Sequence, residues 1–213
     1  MVALGVLAIA FVVYSQLVTL GVMDGADRAV AVWLAPYWNH SLRPLAYAVA
    51  LLGGMELTTL LVVGLAVYLV RNGFRHEAWA LLTFPLALLA EFVYKRLVQH
   101  PGPFEFAHGD GPSVTMLLER GPLTLTNTYP SGHMLRTVLI YGLLAFVIYR
   151  LAPPGRRKRL AVPLATVIIA IVAFDRVYLG VHWISDVVGG LLLGGLALAA
   201  AIVWLEQPRP VVK

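Results

Sequence analysis

The 213-residue chain is 60% hydrophobic and 13% charged, with a mean hydropathy of +0.81, which excludes an ordinary soluble domain, where about a quarter of residues carry charge. Its formal charge of +5 and pI near 9.7 do not point to nucleic acid, because the basic residues fall between hydrophobic runs rather than along one helical face; topology and anionic lipid account for them. The chain has no cysteine, so disulfides, thiolate metal sites and cysteine nucleophiles are excluded.

Apolar runs long enough to cross a bilayer, roughly 18 residues or more, recur along the chain. They predict six transmembrane helices, at about 2–22, 50–70, 77–98, 131–150, 160–178 and 182–205. The expected fold is all-α, a single membrane-embedded bundle over residues 1–213. The first run lacks a basic leader and is long for a signal sequence, so it reads as a retained helix.

Between the first two spans, residues 28–40 hold Trp33, Tyr37 and Trp38, aromatics that favour the bilayer interface. This stretch reads either as a surface-lying segment or as an irregular loop. Arg71 and Arg75 follow the second span, and Arg150, Arg156, Arg157, Lys158 and Arg159 follow the fourth. These short basic connections are expected to face the cytoplasm. An even number of spans then puts both termini inside, in agreement with Arg209 and Lys213, and leaves the connections near 23–49, 99–130 and 175–182 outside. The 99–130 stretch, rich in Gly, Pro and Thr, is too long for a plain connector and is expected to carry function, with short helices of its own. In the last span Gly190 and Gly194 permit close helix approach, within the chain in preference to dimerisation. No long internal repeat supports a transporter built from inverted halves.

Ionisable residues near a membrane are costly unless paired or functional, and three clusters at outer span ends stand out. Lys95 and Arg96 end the third span and precede His100, Pro101, Gly102 and Pro103. Alone they are compatible with snorkelling cations. Pro130-Ser131-Gly132-His133 opens the fourth span. Free N–H groups at a helix start favour an anion there, and a plain Ser-capped start accounts for the tetrapeptide equally well. The third cluster runs from Asp175 to Asp186. His182 and Asp186, four apart, are expected on one helical face, where the carboxylate orients the imidazole as a nucleophilic histidine requires. Arg176 adds a planar, permanently charged fork suited to phosphate. The bland alternative is a structural His–Asp pair beside an anchoring arginine.

Together the three clusters resemble the tripartite signature of the type 2 phosphatidic acid phosphatase family, which also includes bacterial acid phosphatases and vanadium haloperoxidases. The family pattern is Lys, six residues, Arg-Pro; Pro-Ser-Gly-His; and Ser-Arg, five residues, His, three residues, Asp. This chain supplies Lys95 and Pro103, then Pro130 to His133, then Arg176, His182 and Asp186. The resemblance implies an integral membrane lipid phosphatase. His182 attacks phosphorus, Asp186 supports it, and His133 protonates the leaving oxygen. Lys95, Ser131, Gly132 and Arg176 hold the phosphoryl oxygens. No metal or other cofactor is expected, since phosphoryl transfer of this kind depends on positioning and charge. The substrate is a membrane lipid phosphate or diphosphate: undecaprenyl diphosphate, phosphatidylglycerol phosphate or phosphatidic acid. The implied location is a bacterial inner membrane with the site outside the cytoplasm. A phosphotransferase using the same residues and a non-catalytic lipid-phosphate binder or transporter are the competing readings.

Two positions depart from the pattern: Gly102 stands where the family has arginine, and Asp175 where it has serine. Losing a cation removes a charge-assisted contact of about 1.5–3 kcal/mol, and a carboxylate beside a phosphate opposes it. Arg96, His100, Arg120 and Arg136 are the candidates to supply the missing charge and to pair Asp175. Arg136 lies three residues after His133 on the same face. All four remain outside the expected core site.

Overall fold

The computed structural model describes residues 2–109, 127–151 and 153–207. Among these the structure is all-helical, with six stretches long and apolar enough to span a bilayer: Val2–Thr19, His40–Arg71, Arg75–Leu97, Gly132–Leu151, Arg156–Tyr178 and Ile184–Glu206. Large apolar side chains such as Ile9, Leu60, Leu89 and Val167 point outward from these stretches. That is the surface a hydrocarbon solvent selects.

Helix α1 (Val2–Thr19) is followed by α2 (Asp24–Leu34), which resolves the 28–40 ambiguity in favour of a helix up to Leu34. The second span starts well before residue 50. It is built from α3 (Arg43–Gly53) and α4 (Met55–Arg71), broken where Gly54 is extended at ψ 153°. The break exposes the Gly53 carbonyl, which accepts a 3.0 Å hydrogen bond from Arg136 Nε. A side chain at Gly53 would meet the Thr137 hydroxyl at 2.7 Å, so glycine is what lets α3 reach the next layer. The third span runs from the short α5 (Arg75–Ala78) through a 3-10 turn, Trp79–Leu82, into α6 (Thr83–Leu97).

Helix α7 (Gly132–Leu151) is the centre of the bundle, packed between α8 (Arg156–Tyr178) and α9 (Ile184–Glu206). Its most apolar window is 56% buried, against 17% for α1. Small residues on α9 allow this contact. A Cβ at Gly190 would lie 2.5 Å from the Ser131 carbonyl oxygen, and one at Gly194 would lie 2.7 Å from that of Leu135. The expected intramolecular use of the Gly190/Gly194 pair is therefore what the fold contains. Because spans alternate in direction, the end of α6, the start of α7, the end of α8 and the start of α9 meet at one end of the bundle, beneath α2.

Candidate functional site

The turn from α8 to α9 carries the third cluster. Gly180, at φ 63°, closes α8 in the left-handed region, and a side chain there would strike the Phe106 carbonyl oxygen at 2.1 Å. The Val181 and His182 amides both turn back to the Arg176 carbonyl at 3.3 Å. His182 therefore lies before α9, not on its face as the spacing suggested, because α9 begins only at Ile184. The pairing with Asp186 survives by another route. Asp186 sits in the first turn of α9, where its Oδ2 accepts the Trp183 amide at 3.0 Å and stands 3.2 Å from His182 Nδ1. A carboxylate at that position is held by the unpaired N–H groups of the helix start. Ionised, it can only accept, so Nδ1 carries the proton and Nε2 keeps its lone pair. Nε2 has no hydrogen-bond partner among the described residues.

The second cluster is tied directly to the third: the Ser131 amide donates to the Asp186 carbonyl at 2.9 Å. The Ser131 hydroxyl is fully buried with no hydrogen bond among the described residues, an arrangement that natural proteins avoid unless something else is to be bound. His133 follows on α7, in the field of Arg176, Arg136, His182 and Lys95.

Lys95 does not snorkel. Its Nζ is 3.0 Å from Glu91 Oε1, while the other Glu91 oxygen is 3.2 Å from Arg136 Nη1. The carboxylate presses on Gly132, where a Cβ would lie 2.0 Å from Oε1. Arg136 is 5% exposed, so its guanidinium is turned into the bundle and away from lipid headgroups. Arg96, by contrast, is exposed with its guanidinium over the Phe92 ring, and Arg120 lies outside the described residues.

Asp175 pairs with neighbouring Arg176 itself, at 2.5 Å. Both are buried. At Gly102 a Cβ would lie 2.7 Å from the Thr128 methyl carbon, so the packing here leaves little room for the family's arginine. The loop is closed by the Thr128 amide donating to the His100 carbonyl at 3.0 Å and by Asn127 Nδ2 donating to the Lys95 carbonyl at 3.0 Å. All seven expected site residues thus gather at one end of the bundle.

Three further residues are not among those the sequence singles out: Glu91, Asp27 and Ser185. Glu91 did leave a signal, an acid in an apolar span four residues before Lys95. Asp27 left none, since it joins the site only because α2 folds over α9. Its carboxylate accepts the Ser185 amide at 2.9 Å and the Ser185 hydroxyl at 2.6 Å. His100, set aside on sequence grounds, is buried with Nε2 3.1 Å from Ser185 Oγ. It also lies 3.5 Å from Asp27 Oδ2 and 3.6 Å from Asp186 Oδ1. Burial pushes the His100 imidazole down, but the Asp27 carboxylate and the charges of Asp186 and Asp24 outweigh it and hold the ring above its ordinary range.

A six-span helical membrane protein with a buried His–Asp pair and paired cations at one bundle end is the class that fold and geometry define. The profile of the PAP2 superfamily matches residues 76–210. The chain belongs to that superfamily. It is 37% identical over 68 residues to phosphatidylglycerophosphatase B of Bacillus subtilis, covering 32% of this chain and 34% of that protein. It is 31% identical over 132 residues to an undecaprenyl-diphosphatase of Sulfolobus acidocaldarius, covering 62% and 56%. The matches thus span only part of these relatives. The fold matches the crystal structure of a transmembrane PAP2-type phosphatidylglycerolphosphate phosphatase from Bacillus subtilis with a TM-score of 0.82, at 23% identity, over 99% of this chain and 100% of that one.

Proposed function

We propose that this protein is a lipid phosphatase, hydrolysing a phosphomonoester or diphosphate of a membrane lipid through a phosphohistidine on His182. The observation that carries this reading is the His182–Asp186 pair, 3.2 Å apart, which holds the proton on Nδ1 and leaves Nε2 free to attack. Nε2 forms a bond to phosphorus as the lipid oxygen departs, and His133 gives that oxygen a proton. Water then attacks the phosphohistidine and passes a proton back to His133, releasing phosphate and restoring both histidines. The Ser131 hydroxyl, the Gly132 amide, Lys95 and Arg176 hold the equatorial oxygens. Arg136 takes the place of the cation that Gly102 lacks, because it shares Glu91 with Lys95 against Gly132.

The named relatives support three candidate headgroups: phosphatidylglycerol phosphate and undecaprenyl diphosphate by their names, and phosphatidic acid by family resemblance. Phosphate release from a panel of these three, by purified protein in detergent with EDTA present, tests the activity. Release that is absent from the whole panel, or that is unchanged in His182→Ala, overturns the reading.

Glu91 supplies a test of the cradle that does not depend on turnover. Glu91→Ala leaves Arg136 buried without that acid, a change that costs about 3–5 kcal/mol in buried pairs. A lower thermal midpoint in detergent is expected. Inorganic phosphate should recover part of it, because the anion can take the carboxylate's place between Lys95 and Arg136. Equal effects of phosphate on wild type and variant would remove these two cations from the cradle.

The proposed orientation places both termini in the cytoplasm and the site outside, in a bacterial inner membrane. A reporter fused after Arg157 should then read cytoplasmic and one at Gly109 extracytoplasmic; the reverse pattern would move the site to the inner face.

A further inference from the structure

The imidazole of His100 occupies a position that the proposed phosphatase chemistry does not yet use. The Ser185 hydroxyl has one proton, and the 2.6 Å contact with Asp27 Oδ2 commits it, since a carboxylate only accepts. Ser185 Oγ must therefore accept from His100 Nε2–H at 3.1 Å. That N–H points between two buried carboxylates, Asp27 at 3.5 Å and Asp186 at 3.6 Å. On the Asp186 side it faces Oδ1, which is fully buried and accepts no hydrogen bond among the described residues. The other oxygen, Oδ2, already serves His182 and the Trp183 amide.

We propose that His100 is a positioning residue for the reaction at His182: anchored by Ser185 and Asp27, it holds the far side of the Asp186 carboxylate and offsets part of its charge. This rests on the assignment of His182 as nucleophile. Asp186 orients the His182 ring, but its charge also favours the protonated imidazolium, which has no lone pair for attack. A cation behind Asp186 offsets that pull on the proton. It also limits rotation of the carboxylate, so that Oδ2 stays on Nδ1.

The groups facing His100 come from every neighbouring element. Asp24, Asp27 and Arg28 belong to α2, and Asp186 belongs to α9 with His182 just before it. The Tyr129 ring stands edge-on at 6.4 Å, and Tyr14 of α1 lies in the field of the same two carboxylates. A cleft of about 330 Å³, lined by Asp24, Asp27, Arg28, Gln99, His100 and Trp183 among others, opens onto the network. Protons can therefore reach His100 without passing His182.

The test compares pH profiles of the full-length protein in mixed micelles, with dioleoyl phosphatidic acid as probe. His100→Gln keeps an N–H donor within reach of Ser185 and removes the charge. Its kcat at neutral pH should stay within about fivefold and its KM within about twofold of wild type, while the acid limb of kcat/KM moves up by about 0.5–1 pH unit. His100→Ala should lose roughly 10–100-fold in kcat with little change in KM. An acid limb in His100→Gln that superimposes on wild type overturns the inference, and this variant decides the matter should His100→Ala fail to fold. His182→Ala, run alongside, separates the two claims. If it is inactive while the His100→Gln profile is unchanged, only the role of His100 falls. If it releases phosphate like wild type, the nucleophile assignment falls and this inference with it.

Discussion

Replacing His182 with alanine is expected to lower phosphate release by roughly four orders of magnitude or more while leaving the bundle folded. The side chain is 8% exposed and, among the described residues, its ring is anchored only at Nδ1, so its removal leaves a small polar gap rather than a collapsed core. What is lost is the atom proposed to form the bond to phosphorus. His133→Ala should behave differently. A general acid contributes roughly 10²–10⁴-fold, and its loss matters less when the leaving group needs no proton. Activity of His133→Ala on an aryl phosphate with an acidic phenol should therefore approach that of wild type, whereas His182→Ala should be inactive on every substrate. Recovery of both variants on the aryl phosphate would reverse the two roles or remove them.

The second large effect is expected from Gly190→Val. The new side chain would be driven into the Ser131 carbonyl oxygen and the Met134 Cβ, with ideal Cβ distances of 2.5 and 2.7 Å. One of these partners is backbone, so no rotamer change relieves the contact, and α7 must move away from α9. Overpacking of this kind costs about 1–3 kcal/mol. The same shift would stretch the link between the Ser131 amide and the Asp186 carbonyl, now 2.9 Å. Displacement of catalytic groups by about 1 Å can cost roughly a hundredfold in rate. Gly195→Val is the control, because a Cβ there meets nothing within 4 Å. A lowered thermal midpoint and activity for Gly190→Val, with both near wild type for Gly195→Val, would show that the glycine face sets the site. Equal behaviour of the two would show that it does not.

Much of this protein was legible without coordinates. Hydropathy placed all six spans, because a bilayer imposes a length and an apolar composition on each one locally. Its misplaced start of the second span has a local cause as well: the Gly53-Gly54 break divides that span into two helices, which a hydropathy window reads as one late segment. The His182–Asp186 pairing was read correctly from spacing, yet for an incomplete reason. Helical periodicity does not make it; the first turn of α9 holds the acid while the α8–α9 turn folds the histidine back onto it.

The partners of the charges were not legible. Arg136 joins the Glu91–Lys95 pair because α6 and α7 are packed side by side, and Asp175 takes the adjacent Arg176. Asp27 and His100 come from segments on either side of two spans and meet beside Ser185. The class of fold, the spans and the residue types proposed to react follow from local composition and short spacings, and so could be read without coordinates. That Arg136 shares Glu91 with Lys95, and that His100 stands behind Asp186, came only with the packing of the helices. Pairing between helices of a low-dielectric bundle depends on their separation, and no local pattern encodes it.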